Sequence, residues 1–224
     1  MTILTLSGWT QPSDALTRIL PGAVSFDYSE YTDTAQAIDA LSAHRSIKTV
    51  VAWSLGGWLA MQAIAAGTLA PASLVLIAPA FQFVNDGNFT DGMPHDTFTQ
   101  FRQNYITDPE RTLTRFHGLI AKGDKNMRTV MAHLAHHPEV ANTGRWLPWL
   151  DALARDTLHE VRIDTPHITL LHGHNDAIVP VAQSTHIKAR NPNIQIEIWQ
   201  DACHAPHLHD SARFKETVKA AYAH

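Results

Sequence analysis

Residues Val50-Val51-Ala52-Trp53-Ser54-Leu55-Gly56-Gly57 constrain the fold more than any other stretch of this chain. An apolar, β-branched run ends at Trp53, and a helical pattern carried by Trp58, Leu59, Met61 and Ile64 begins straight after it. A serine between them, with Ala52 at −2 and Gly56 at +2, predicts a very tight strand–turn–helix in which larger flanking side chains would collide with strand or helix. In that geometry the Ser54 hydroxyl stands at the strand's C-terminal end. Helix N–H groups and the positive end of the helix dipole lie behind it. Read alone, the stretch could be no more than a tight connection. Its chemical meaning depends on what the chain supplies further on.

The rest of the chain alternates. Residues 2–6, 23–28, 47–53, 73–78, 167–172 and 194–199 read as strands. Between them, helical patterns run from Pro12-Ser13-Asp14 through Ile19, follow a Thr32 or Asp33 cap, and cover 55–66, 181–189 and 210–222. The near-continuous apolar run at 73–78 is that of a strand buried on both faces. Strands alternating with helices predict an α/β fold with a mostly parallel sheet and right-handed crossovers. The alternation stops at Pro79. From about 81 to 160 only helical segments are read, at 95–105, 108–121, 124–136 and 145–159. The expected organisation is a core of residues 1–80 and 161–224, with residues 81–160 as a helical cap inserted after the fourth strand.

Composition narrows the function classes. The 224 residues are 45% apolar, and no run approaches the ~18 residues of a membrane span. No signal-peptide pattern is read at the start of the chain, so a cytoplasmic location is expected. A single cysteine, Cys203, rules out an internal disulfide framework. A net charge of −4 argues against a general nucleic-acid binder. A monomer that binds neither nucleic acid nor membrane is expected.

Two further residues join Ser54. Asp176 follows the strand at 167–172, in Gly173-His174-Asn175-Asp176, and His204 follows the strand at 194–199. Both fall in loops at strand C-terminal ends, where open α/β sheets carry their sites. The order Ser54, Asp176, His204 fits a nucleophile activated by an imidazole that a carboxylate orients. Asp164 and Asp201 compete for the carboxylate role, and Asp176 could simply cap a turn. His207 and His209 compete with His204 but approach the terminal helix, where a solvent-facing or capping role is expected. Two backbone N–H groups would hold an oxyanion: that of Leu55, next after the serine, and that of Trp9, in the Ser7-Gly8-Trp9 loop after the first strand. His133, His136 and His137 do not share one helical face, and His207 and His209 lack a partner at recognisable spacing, so neither a metal nor any other cofactor is expected.

These residues resemble the α/β-hydrolase superfamily and, within it, the pimeloyl-[acyl-carrier protein] methyl ester esterases of biotin synthesis. The resemblance rests on Gly8-Trp9, Trp53-Ser54-Leu55-Gly56-Gly57, Gly173-x-x-Asp176, His204-Ala205-Pro206 and the stretch Arg111-Thr112-Leu113-Thr114-Arg115-Phe116, which is similar to that family's lid segment. Against that family the chain starts at what would be the third strand, and Ser7 and Ala52 stand where His and Gly are usual. The resemblance implies hydrolysis of the methyl ester on a pimeloyl chain carried by acyl-carrier protein. It also implies carrier contacts at Arg111 and Arg115, more weakly at Arg128, and an acyl-channel wall at Phe116. Residues 100–130 hold six Lys/Arg against three Asp/Glu, a local positive balance suited to an acidic partner. A general carboxylesterase or thioesterase for small acyl esters, and a non-catalytic binding module on the same fold, remain as alternatives.

Overall fold

The computed structural model of the chain describes residues 2–134 and 142–222. Its strands are β1 (Ile3–Leu6), β2 (Val24–Ser25), β3 (Thr49–Trp53), β4 (Ser73–Ile77), β5 (His167–Gly173) and β6 (Gln195–Trp199). They form one sheet in the order β2-β1-β3-β4-β5-β6, and each neighbouring pair is parallel. The strand order turns back between β1 and β3, so the loops leaving these two strands flank the crevice where such sheets bind ligands. Every residue of β3 and of β4 is buried, which is why both read as near-continuous apolar runs after an opening Thr or Ser.

The helices are α1 (Thr34–Ala40), α2 (Leu55–Ala65), α3 (His95–Thr107), α4 (Pro109–Ile120), α5 (Met127–His133), α6 (Thr143–Arg155), α7 (Gln183–Arg190), α8 (Pro206–His209) and α9 (Ser211–Tyr222). α2 packs on β1 and β3, and α9 on β4 and β5. α3 to α6 form the helical insertion between β4 and β5. The starts of α4 and α6 are set by local chemistry. The Asp108 side chain accepts a hydrogen bond from Arg111 N–H, with Pro109 in the first turn of α4, and Asn142 caps α6 through Arg145 N–H. Arg102 of α3 reaches Asp151 of α6 with two hydrogen bonds of 2.6 and 2.7 Å, tying the insertion to itself.

Two local expectations are corrected, and one short helix was not read from the sequence. The second strand covers only Val24–Ser25, because this edge strand pairs with β1 alone and then turns into a 3₁₀ segment at Tyr28–Glu30. The segment from Pro12 forms a single 3₁₀ turn, Ser13–Ala15, rather than a helix to Ile19. The four-residue α8, opened by Pro206, is too short to leave a periodic pattern.

Gly173 closes β5 where the chain passes directly against the loop after β6. A Cβ there would overlap Cys203 O and lie 2.6 Å from Ala202 O. Both obstacles are backbone, so the side chain cannot be accommodated by rotation. Gly173→Ala should therefore cost roughly 3 kcal/mol. By calorimetry this lowers Tm by about 10 °C in a chain of this size; an unchanged Tm would contradict the close approach.

Candidate active site

Ser54 sits at φ 53°, ψ −118°, between the end of β3 and the start of α2. A non-glycine residue held there stores about 1–3 kcal/mol of backbone strain. The surroundings enforce it. Ser54 N–H donates to Ile77 O at 2.8 Å, and Trp58 N–H donates to Ser54 O at 3.0 Å. The expected need for small neighbours has a physical basis at Gly56, where a Cβ would lie 2.5 Å from both Leu6 O and Ser7 O. The start of α2 is thus pressed against the end of β1 and the loop that carries Trp9. Leu55 N–H is among the first donors of α2, which have no acceptor within the helix.

His204 and Asp176 arrive from the loops after β6 and β5. His204 Nε2 lies 2.9 Å from Ser54 Oγ, and His204 Nδ1 lies 2.7 Å from Asp176 Oδ2. Both partners are buried, while Ser54 keeps partial exposure. Asp176 Oδ1 accepts from Ile178 N–H at 2.8 Å and Val179 N–H at 2.9 Å. Burial alone would raise the Asp176 pKa. Electrostatic attraction to His204 and the hydrogen bonds of His172 and His204 outweigh burial and hold it below the usual carboxylate range. An ionised carboxylate can only accept, so His204 Nδ1 carries the proton and Nε2 faces the Ser54 hydroxyl as an acceptor.

Trp9 is buried beneath the insertion. Its ring meets Phe101, Tyr105 and Phe116 edge-on, at centroid distances of 5.7, 4.9 and 5.2 Å, and its Nε1–H donates to Trp146 O at 3.0 Å. The loop it belongs to is anchored from below, where Tyr28 OH donates to Ser7 O at 2.7 Å. Phe116 therefore lies against the Trp9 loop, whereas Arg111 and Arg115 are exposed on the same face of α4, one turn apart. Arg128 is exposed on α5. Of the other cations in this region, Arg102 is turned to Asp151 and Lys125 lies 3.8 Å from Asp201.

The competing residues fall elsewhere. Asp164 is exposed ahead of β5, and Asp201 is exposed beside Lys125. The expectation of a solvent-facing or capping His207 is overturned. His207 is buried with its ring 4.5 Å from that of Trp53 and 5.8 Å from that of Phe214, and burial pushes its pKa down to about 3. His209 is also not solvent-facing; its Nδ1 lies 2.7 Å from Asp124 Oδ1, the other oxygen of which accepts from Cys203 N–H. His133 hydrogen-bonds through Nδ1 to Thr129 O within its own helix, and His136 and His137 lie outside the described residues.

Two residues at the site were not singled out from sequence. Trp53 Nε1–H donates to His204 O at 3.0 Å, and a Cβ on Gly8 would meet the Trp53 ring at 3.2 Å. The residue before the serine therefore braces both the His204 loop and the Trp9 loop. The other is His172, whose Nε2 lies 3.0 Å from Asp176 Oδ2.

Comparison with known proteins agrees with this architecture. The model of the alpha/beta hydrolase family matches residues 5–217. The chain therefore belongs to the alpha/beta hydrolase family. Among curated relatives, it is 27% identical over 175 residues to the biotin biosynthesis bifunctional protein BioHC of Cellvibrio japonicus, an alignment covering 77% of this chain and 35% of that one. It is 32% identical over 173 residues to the pimeloyl-[acyl-carrier protein] methyl ester esterase of Aromatoleum aromaticum, covering 71% and 67%. The chain thus spans about a third of the length of the bifunctional relatives it matches. Among solved structures it superposes on an esterase from Exiguobacterium antarcticum with a TM-score of 0.75 at 16% identity, covering 98% of this chain and 91% of that one, a likeness of fold. Among the described residues, no helix is long and apolar enough to cross a membrane.

Proposed function

We propose that this chain is a serine carboxylic ester hydrolase acting through Ser54, His204 and Asp176, and that its substrate is the methyl ester of a pimeloyl chain carried by acyl-carrier protein. The unbroken line Ser54 Oγ, His204, Asp176, with separations of 2.9 and 2.7 Å, carries the hydrolase part of this reading. His204 Nε2 takes the Ser54 proton as Oγ attacks the ester carbonyl. The Leu55 and Trp9 N–H groups receive the negative charge that grows on the carbonyl oxygen. His204 then protonates the departing methoxide, and methanol leaves. A water molecule, deprotonated in turn by His204, attacks the acyl-enzyme and releases the free carboxylate. Asp176 holds the imidazole in the accepting tautomer and stabilises the imidazolium in both halves.

The choice of substrate is supported by the names of the relatives and by the surface of the insertion, which this reading treats as a lid over residues 81–160. A groove of about 490 Å³ runs between α3 and α4, lined by Thr97, Phe101, Thr112, Arg115, Phe116 and Leu119. Its inner wall, Phe101 and Phe116, is the pair of rings that cover Trp9, and Arg115 stands at its edge. With Arg102 and Lys125 directed to Asp151 and Asp201, the other exposed cations of this region are Arg111, Arg115, Lys122 and Arg128.

Reversal of Arg111 and Arg115 to Glu tests the partner. Both side chains point outward, so the change acts on encounter and not on bond-breaking. kcat/KM on the carrier-bound ester should fall by about tenfold or more, or ~1.4 kcal/mol, with p-nitrophenyl ester turnover near wild type. Wild-type carrier activity should also fall as salt rises above physiological strength, where the screening length is about 8 Å. Equal losses on both substrates would assign the arginines to lid integrity. No loss on either would favour a general carboxylesterase.

A further inference from the structure

Asp176 receives more hydrogen-bond donors than a catalytic carboxylate needs to orient one imidazole. Oδ1 takes two backbone N–H groups, from Ile178 and Val179. Oδ2 faces two imidazoles, His204 Nδ1 at 2.7 Å and His172 Nε2 at 3.0 Å. His172 lies near the end of β5 and is buried, with a side-chain exposure of 0%. Its Nε2 also lies 2.9 Å from Val179 O. A carbonyl and an ionised carboxylate can only accept, so Nε2 carries a proton and divides it between them. The other ring nitrogen, Nδ1, is buried with no hydrogen-bond partner among the described residues. The ring is therefore held at this carboxylate by Nε2 alone.

We infer that His172 is a positioning residue for the reaction: its Nε2–H fixes Oδ2 of Asp176 in line with His204 and shares the negative charge that the carboxylate offers to the imidazolium. The inference rests on the serine hydrolase reading and adds a fourth side chain to it. Val179 O, reached by the same proton, belongs to the turn whose N–H supports Oδ1, so one imidazole braces the carboxylate at one oxygen and its supporting loop at another. The remaining ionisable groups around the pair are the buried Cys203 thiol and, beyond His204, His207 on α8. Neither places a hydrogen-bonding atom on Asp176 among the described residues.

The test compares His172→Phe, which keeps an aromatic ring of similar bulk without the donor, with His172→Gln, which offers an amide N–H toward the same oxygen. Loss of the donor leaves the carboxylate more basic, which favours protonated His204 and so disfavours the form that accepts the Ser54 proton. For His172→Phe, kcat on p-nitrophenyl esters should fall by about tenfold with KM within about twofold. The acid limb of its kcat/KM profile should move to higher pH. His172→Gln should recover most of kcat and return the limb toward wild type. A wild-type limb and kcat in His172→Phe would overturn the inference, as would equal losses in both variants that follow Tm with the limb unmoved. A readout free of turnover stands beside these. Proton NMR of the wild-type protein should show two downfield imidazole N–H resonances, both lost in Asp176→Ala, and a single such resonance would also overturn the inference. A wild-type protein with both resonances but no esterase activity would instead defeat the proposed function and leave the His172 contact standing.

Discussion

Ser54→Ala should reduce ester hydrolysis by a factor of about 10⁴ or more while the fold is kept. The size follows from the arrangement around Oγ. Without the hydroxyl there is no group to form the acyl-enzyme, and His204 Nε2 faces a methyl. What remains is the modest rate that backbone N–H donors and substrate binding give to attack by water. The substitution is small, and alanine has no better access than serine to φ 53°, so strain at the turn persists and little stability is gained. Steady-state turnover of a p-nitrophenyl ester, with circular dichroism on the same samples, measures the effect. Turnover within tenfold of wild type would remove Ser54 from the chemistry.

Asp176→Asn should be nearly as damaging, about 10⁴ in kcat with little change in KM. The hydrogen bonds explain why a change of one atom matters so much. Ile178 N–H and Val179 N–H both point at Oδ1, so the asparagine carbonyl oxygen must occupy that position. Its NH₂ group then faces His204 Nδ1 and His172 Nε2, both of which donate in the native arrangement. Donor meets donor. His204 can relieve this only by moving its proton to Nε2, and that tautomer cannot accept the Ser54 proton. Asp201→Asn is the matched control. Asp201 is exposed beside Lys125, and its loss should leave kcat within about twofold. A collapse of kcat in Asp201→Asn but not in Asp176→Asn would mean that the wrong carboxylate had been assigned.

The strands were legible because a parallel sheet buries its central members on both faces. Val50 to Trp53 and Leu74 to Ile77 leave unbroken apolar runs that few other structures require. Ser54, Asp176 and His204 could be picked out because each lies within about five residues of a strand's end, so a parallel sheet brings them to its C-terminal side. The edge strand was less legible. Phe26, Asp27 and Tyr28 have the composition of a strand, but one-sided pairing lets the chain leave the sheet after Ser25. His207 was misread because a titratable side chain just ahead of the terminal helix suggests the surface, while its neighbours in space, Trp53 and Phe214, come from β3 and α9. The same limit hid the support of Trp53 for His204 O and of His172 for Asp176. The first joins segments that only the folded sheet brings together; the second is local, four residues apart, but depends on the turn after β5 folding the carboxylate back onto the ring, which no periodic pattern signals. Arg102 shows the reverse error. It added to the local positive balance in sequence, yet its guanidinium is engaged by Asp151 of α6.

Covalent labelling tests the central claim most directly. The protein is treated with a fluorophosphonate, and the intact mass and peptide map are read. An activated serine should take up one equivalent, located on Ser54, and labelling should be suppressed in both His204→Ala and Asp176→Asn, because phosphonylation needs the same deprotonated Oγ as acylation. An unchanged mass, or an adduct on any residue other than Ser54, would contradict the assignment of this site as that of a serine hydrolase.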